Sequence, residues 1–150
     1  MTRRKFPLYI DLDGKPVVLV GGGTIAARRA KTLSQFGVDL TVIAPSIDVS
    51  IRALPGVTCL EQPWDPSLLG QAVFVLTATD CEAVNASVVE TCRSRGVPVN
   101  DASNQTRCDF QFPAVAIRGD VVVGVNAGGT DHSLVRRVAA AIRTLLEGEL

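Results

Sequence analysis

Residues 17–26, with the sequence VVLVGGGTIA, constrain the fold of this chain more than any other segment. Four apolar residues in succession lead directly into three glycines, and a helical pattern begins immediately after them. A strand that is apolar at every position must be buried on both faces, as happens in a parallel sheet that helices cover. The segment therefore predicts a central strand, a tight glycine turn and a helix, which together open an α/β fold.

The glycine turn has a spacing with a known chemical use. Gly21 and Gly23, followed by Ala26, match the pattern G-x-G-x-x-A. In dinucleotide-binding turns the first glycine permits the tight turn, the second lets a pyrophosphate approach the backbone, and the third small residue packs helix on strand. The free amides and the positive end of the helix attract the phosphates. Small residues also serve simple strand-to-helix turns, but the flanking strand and helix favour dinucleotide binding.

Composition excludes several classes of protein. The chain has 150 residues, 47% of them hydrophobic, and can bury a sizeable core, while its formal charge of zero argues against a dedicated nucleic-acid binder. No apolar run is long enough to span a bilayer and residues 1–14 lack the apolar core of a signal peptide, so we expect no membrane partner and a cytoplasmic location. The cysteines are dispersed without a C-x-x-C pair, so neither a zinc site nor a disulfide framework is predicted.

Strand and helix patterns alternate along most of the chain. Strands are predicted at residues 8–12, 17–20, 40–44, 57–61, 72–77 and 97–100, and helices at residues 24–36 and 82–95. Because parallel neighbours need helical crossovers, this order predicts a Rossmann-type, doubly wound parallel sheet. Ligands of such sheets bind beyond the carboxyl ends of the strands, here residues 21–23, 44–46, 77–80 and 100–104.

The pattern changes from residue 110 onward. Residues 110–117 and 121–126 are predicted to form two antiparallel strands joined by Arg118, Gly119 and Asp120, and residues 132–147 a helix. Such a hairpin with a helix outside a Rossmann core serves either as a subunit interface or as a substrate lid, and we favour the interface. The expected organisation is a dinucleotide-binding Rossmann domain over residues 1–109 and a dimerisation or substrate-cleft annex over residues 110–150.

A series of short motifs, in order and covering nearly the whole chain, resembles the precorrin-2 dehydrogenase family, the N-terminal module of siroheme synthases. The motifs are Phe6-Pro7-Leu8, Val20-Gly21-Gly22-Gly23 with Ala26-Ala27-Arg28, Ala44-Pro45, Ala78-Thr79-Asp80 with Asn85, Val99-Asn100, Cys108-Asp109-Phe110 with Phe112-Pro113-Ala114, and Gly128-Gly129. The resemblance implies NAD-dependent oxidation of precorrin-2 to sirohydrochlorin, with iron insertion as well in some members. It also implies an intertwined homodimer and a cleft with basic groups for the carboxylates of the tetrapyrrole, for which Arg107, Arg118, Arg136 and Arg137 are candidates.

The resemblance assigns the cofactor-binding residues. Thr24 and Ile25 would place backbone amides on the phosphates, beside the glycine turn. Pro45 and Ser46 would border the adenosine ribose, and residues 77–79 would line the nicotinamide side. The full set of predicted cofactor-binding residues is Gly21, Gly22, Gly23, Thr24, Ile25, Ala44, Pro45, Ser46, Thr77, Ala78 and Thr79. The second strand ends without the Asp or Glu that commonly holds a ribose 2′-hydroxyl, so the preference for NAD over NADP rests on the resemblance.

The catalytic side departs from the family. The family has an aspartate, which acts as the acid–base or metal-contacting group, where this chain has Ser103, and a serine hydroxyl is a poor general base unless a neighbour activates it. Asp101, two residues earlier, would point to the same face about 7 Å away if the segment were extended. His132, the only histidine, is a candidate proton carrier or iron ligand, although a lone histidine in a first helical turn is usually just exposed. Asp131 is predicted to be the N-cap of the last helix.

Iron binding and the class of function leave alternatives open. Asp101, Asp109, Asp131 and His132 could approach one another across a dimer cleft, but the aspartates also have turn or cap roles, so no metal site is predicted. The first alternative to an enzyme is a non-catalytic dinucleotide- or tetrapyrrole-binding module of the same fold. The second is an unrelated regulatory Rossmann domain, such as a ligand-gating module of an ion transporter, against which the segments 112–114 and 128–129 argue.

Overall fold

The structure, a computed structural model, describes residues 3–149. The chain divides into two compact units. The first unit is Ile10–Phe110, and the second combines residues 3–9 with residues 111–149. Each unit has its own sheet, so each is described by itself.

The first unit is built on a five-stranded parallel sheet with the strand order β3-β2-β1-β4-β5. This is the order of the Rossmann fold, and it confirms the predicted fold class. The strands are β1 (Pro16–Val20), β2 (Asp39–Ala44), β3 (Val57–Glu61), β4 (Val75–Thr77) and β5 (Val99–Asp101). The helices are α1 (Thr24–Leu33), α2 (Val49–Arg52) and α3 (Glu82–Ser94), with short 3₁₀ turns at Ser34–Phe36, Pro66–Leu69 and Gln105–Arg107.

The central strand β1 is as deeply buried as its apolar run predicts. Val17 and Leu19 point to one face and Val18 and Val20 to the other, and none of the four side chains is more than 5% exposed. Burying each such side chain contributes about 1.5–3 kcal/mol to folding. Because β1 lies between β2 and β4, its carboxyl end sits where the strand order reverses direction. Rossmann folds bind their ligand at this reversal point.

The prediction of a strand at residues 8–12 is wrong. The chain there forms no strand, because the Asp13 amide donates to the Asp11 carboxylate (3.0 Å) and the Lys15 amide donates to the Leu12 carbonyl (2.9 Å). These local bonds turn the chain into β1 instead of laying it along a neighbouring strand. The helix predicted over residues 24–36 ends in a 3₁₀ turn followed by Gly37, whose φ of +67° closes it.

The second unit contains the predicted hairpin and helix. Strands β6 (Ala114–Arg118) and β7 (Val121–Val125) pair antiparallel, and α4 (His132–Glu147) packs on β6. Asp131 accepts a hydrogen bond from the Leu134 amide (2.9 Å), which confirms it as the N-cap of α4. Arg118 donates to the Leu146 and Gly148 carbonyls (2.6 and 2.8 Å) at the other end of α4. Arg118 is therefore engaged in capping this helix.

Across residues 3–149, no helix combines the length and the apolar character that crossing a membrane requires.

Candidate functional site

The three glycines after β1 have different surroundings. Gly21 has a φ of +134°, and a β-carbon there would overlap the Ala78 carbonyl oxygen at the end of β4. A β-carbon on Gly22 would overlap the Ser46 carbonyl oxygen in the loop after β2. A β-carbon on Gly23 would meet no atom within 4 Å. The first two glycines thus let three strand ends pack together, whereas Gly23 faces open space.

Backbone hydrogen bonds fasten the glycine turn to the neighbouring strand ends. The Gly21 amide donates to the Ile43 carbonyl in β2 (2.9 Å), and the Ala78 amide donates to the Val20 carbonyl (2.8 Å). The turn is therefore held on both sides by the strands next to β1.

The N-terminus of α1 has the features of a phosphate-binding helix end. The helix begins after Gly23, and within the described chain no side chain caps it and no acidic residue lies in its first turn. Thr24 and Ile25 are exposed there. Because the first amides of a helix carry a partial positive charge, this uncapped end beside an open glycine fits a pyrophosphate.

The loop after β2 folds back over the glycine turn. Ala44 is buried, whereas Pro45 and Ser46 are exposed. The Asp48 amide then donates to the Gly22 carbonyl (2.8 Å), which fixes the loop against the turn. The loop holding the predicted ribose-side residues is thus attached to the predicted phosphate site.

Asn85 organises the end of β4, on the other side of the turn. It lies in α3 with only 1% of its surface exposed. Its Oδ1 accepts hydrogen bonds from the hydroxyls of Thr77 and Thr79 (both 2.7 Å) and from the Thr79 amide (3.3 Å), and its Nδ2 donates to the Thr79 carbonyl (3.0 Å). The predicted nicotinamide-side residues are therefore locked together by one buried amide. No role was predicted for Asn85 from the sequence. A polar residue on the buried face of α3 is the feature that could have indicated one.

Asp101 and Ser103 meet at the end of β5. The Asp101 side chain is 0% exposed, and its Oδ1 accepts hydrogen bonds from the Ser103 amide (2.9 Å) and hydroxyl (2.6 Å). The segment is not extended, so the separation considered for an extended segment does not apply; the backbone turns after Asp101 and brings the hydroxyl of Ser103, an exposed residue, directly onto the carboxylate. Ser103 Oγ also accepts from Asn85 Nδ2 (3.2 Å). A continuous hydrogen-bonded cluster, the Asn85–Asp101 cluster, therefore joins Thr77, Thr79, Asn85, Ser103 and Asp101.

Two arginines compensate the buried charge of Asp101. Arg107 donates from Nη1 to Asp101 Oδ2 (3.3 Å) and from Nη2 to Glu82, and its hydrogen bond to Glu82 is the main cause that raises the pKa of Arg107. Arg29 of α1 donates to Asn100 Oδ1 (2.6 Å); burial lowers its pKa, while the nearby Cys108 and Asp101 side chains oppose that shift. Arg107 is thus engaged by two carboxylates.

Three of the remaining candidate residues belong to the second unit. His132 is the first residue of α4 and is exposed; it belongs to the second unit, whereas Asp101 and Ser103 belong to the first. Arg136 and Arg137 are exposed on the same helix. Asp109 Oδ2 accepts a hydrogen bond from the Val99 amide (2.9 Å). Among residues 3–149, no group of three or more His, Cys, Asp and Glu side chains is placed to hold a metal ion.

We expect Thr77→Val to lower the free energy of unfolding by about 1–2 kcal/mol, because the buried Oδ1 of Asn85 loses the hydrogen bond that the Thr77 hydroxyl donates. Urea unfolding measures the effect. The matched control is Thr32→Val, which removes an exposed hydroxyl that donates to the Arg28 carbonyl in its own helix, and which should change stability by less than about 0.5 kcal/mol. Equal losses in both variants would contradict a stabilising role of the Asn85–Asp101 cluster.

Comparisons with known proteins agree with this geometry. A family model described as putative NAD(P)-binding matches residues 8–114. A siroheme synthase of Saccharophagus degradans is 35% identical over 147 residues, which are 96% of this chain and 31% of the relative. A siroheme synthase of Stutzerimonas stutzeri is 38% identical over 141 residues, which are 92% of this chain and 30% of the relative. The chain thus spans about a third of the length of these curated relatives.

Solved structures point the same way. One described as "SirC, precorrin-2 dehydrogenase" matches with a TM-score of 0.75 and 28% sequence identity, over 94% of this chain and 71% of that chain. The resemblance predicted from the sequence motifs is confirmed. A nicotinamide dinucleotide is therefore the class of cofactor that this fold binds.

Proposed function

We propose that this chain, which belongs to the putative NAD(P)-binding family, oxidises precorrin-2 to sirohydrochlorin and uses NAD as the hydride acceptor. The observation that carries the proposal is that an open phosphate-binding turn and a buried polar cluster lie at the carboxyl ends of neighbouring strands. An open glycine and an uncapped helix follow β1, and the Asn85–Asp101 cluster joins the ends of β4 and β5 beside it. The relatives named siroheme synthase and the structure described as precorrin-2 dehydrogenase supply the substrate class.

The chain binds the cofactor mainly through its backbone. The amides of Thr24 and Ile25 and the open face of Gly23 hold the pyrophosphate, since the helix end there is positive and has no side-chain cap. Pro45 and Ser46 border the adenosine ribose. Thr79, held by Asn85, borders the nicotinamide, which takes up a hydride from the substrate when the cofactor is bound.

The Asp101–Ser103 pair receives the proton that the substrate loses. Removing two hydrogen atoms from precorrin-2 releases one hydride, which goes to the nicotinamide, and one proton, which needs an acceptor. The Ser103 oxygen takes this proton while its own hydroxyl proton passes to the buried Asp101 carboxylate, to which it is already hydrogen-bonded at 2.6 Å. His132 stays a predicted proton carrier from the second unit.

The second unit carries the features expected of a dimer contact. Leu134, Val138 and Leu145 on α4 are between 38% and 60% exposed, and their spacing puts them along one side of the helix. Ile117 and Val121 of the hairpin are also exposed. An apolar surface of this kind on a small domain favours burial against another protein, and we infer that a second copy of this chain covers it. The exposed Arg136 and Arg137 on the same helix are then the candidates for binding substrate carboxylates.

Incubating the purified protein with precorrin-2 and NAD in the absence of oxygen tests the proposal. We expect NADH and sirohydrochlorin to form in equal amounts, as followed by absorbance, and neither to form when either reactant is omitted. Binding of both NAD and precorrin-2 without formation of NADH would identify a non-catalytic binding module instead. Binding of NAD without any binding of the tetrapyrrole would favour a regulatory Rossmann domain.

A further inference from the structure

Asp48 is the first acidic residue after β2, and the structure fastens it to the cofactor turn. Its amide donates to the Gly22 carbonyl (2.8 Å). Just before it, the Ser46 carbonyl lies so close to Gly22 that no β-carbon fits between them. In Rossmann folds the end of the second strand is the place where an acidic residue meets the adenosine ribose. The loop thus brings the backbone of Asp48 back to the glycine turn, although β2 itself ends in Ala44.

The Asp48 carboxylate is oriented and still available to a ligand. Its Oδ1 accepts hydrogen bonds from both the Ser50 amide (2.9 Å) and the Ser50 hydroxyl (2.7 Å). Its Oδ2 receives no hydrogen bond from the described part of the chain, and the residue is exposed. The bonds from the Ser50 hydroxyl and then the Ser50 amide lower the pKa of Asp48, so this carboxylate carries a full negative charge at neutral pH.

The nearest basic residue along the chain does not offset this charge. Arg52, in α2, forms an ion pair with Glu61 at the end of β3. Within residues 45–52, Asp48 and Arg52 are the charged residues. Asp48 is therefore the acidic residue of this loop, and the neighbouring Arg52 is paired with Glu61.

We propose that Asp48 determines the specificity for NAD over NADP by accepting a hydrogen bond from the ribose 2′-hydroxyl at Oδ2 and repelling a 2′-phosphate. This inference rests on the cofactor site of the proposed function. Many Rossmann folds have an acidic residue at the end of the second strand, and β2 of this chain ends in Ala44 instead. The inference gives the role of that acidic residue to Asp48, four positions later. A carboxylate fixed by Ser50 suits the role, because the ligand does not have to immobilise it.

Titration of the full chain with NAD and with NADP, followed by calorimetry, tests the inference. We expect the unmodified protein to bind NAD more tightly than NADP. Asp48→Asn should bind NADP at least roughly tenfold more tightly than the unmodified protein does, since a like charge near the phosphate is removed. NAD affinity should fall several-fold in the same variant. The amide oxygen of asparagine can still accept both Ser50 bonds, so the loop keeps its shape.

Asp65→Asn is the matched control. Asp65 accepts the Ser67 amide (2.9 Å) in the same kind of turn, is also exposed, and follows the edge strand β3. The control removes one negative charge and should leave both affinities unchanged. An unchanged ratio of affinities in Asp48→Asn, or an equal change in Asp65→Asn, would overturn the role of Asp48 alone. Failure of the unmodified protein to bind either dinucleotide would overturn the proposed cofactor site as well.

Discussion

Gly23→Asp is expected to weaken dinucleotide binding by about a hundredfold or more, because it places a carboxylate in the proposed pyrophosphate site. The fold should tolerate the substitution, since a β-carbon at this position meets nothing within 4 Å. Aspartate is also a favourable N-cap residue, and α1 has no side-chain cap, so thermal stability should stay equal or rise. The helix end that attracts phosphate thus attracts the new side chain instead. Calorimetric titration with NAD and a thermal melt together measure both effects.

Gly22→Ala is the companion variant. Its single added carbon would overlap the Ser46 carbonyl, so the loop after β2 must move. We therefore expect a loss of stability of about 1–3 kcal/mol, with any loss of NAD binding following from the displaced loop. If Gly23→Asp bound NAD with unchanged affinity, the glycine turn would not be the phosphate site. If both variants lost stability equally, the open position of Gly23 would be wrong.

The fold was largely predictable because its longest signals depend on burial. The apolar run of β1 specifies a strand covered on both faces, and Val17 and Leu19 are indeed fully buried. Helix α4 and strand β7 were predicted with nearly the observed bounds, since an N-cap and a glycine turn mark their starts, whereas β6 begins at Ala114 and not at the predicted residue 110. Residues 8–12 were mispredicted because their alternating apolar side chains resemble a strand, while the Asp11 side chain bonds the Asp13 amide and turns the chain.

The candidate site was less predictable, because its geometry depends on contacts between distant segments. The distance between Asp101 and Ser103 was expected from an extended strand, but β5 ends at Asp101 and the carboxylate bonds the serine amide within the turn. Asn85 bonds Thr77, eight residues earlier, and Ser103, eighteen residues later. No local pattern states that these three side chains meet. Only the parallel order of β4 and β5 brings them to one edge of the sheet.

Asp101→Asn is expected to lower kcat by about 10²–10⁴-fold with little change in NAD affinity, because it removes the proposed proton acceptor. The new amide can still accept the two bonds from Ser103, so the turn should persist. Arg107 would keep its contact with Glu82 and lose its partner at Asp101. Asp109→Asn is the matched control: its carboxylate accepts the Val99 amide, the new amide oxygen can still accept that bond, and we expect neither stability nor kcat to change much.

Ser103→Ala then separates two routes for the proton. If the serine oxygen relays the proton to Asp101, this variant should lose about as much kcat as Asp101→Asn, because Ser103 is the residue that donates to Asp101 Oδ1 within residues 3–149. If the carboxylate instead acts directly after a small rearrangement of the turn, the serine hydroxyl only stands between Asp101 and the substrate. Ser103→Ala should then retain most of its activity. Full activity in both variants would exclude this pair, and His132 would become the proton carrier to test next.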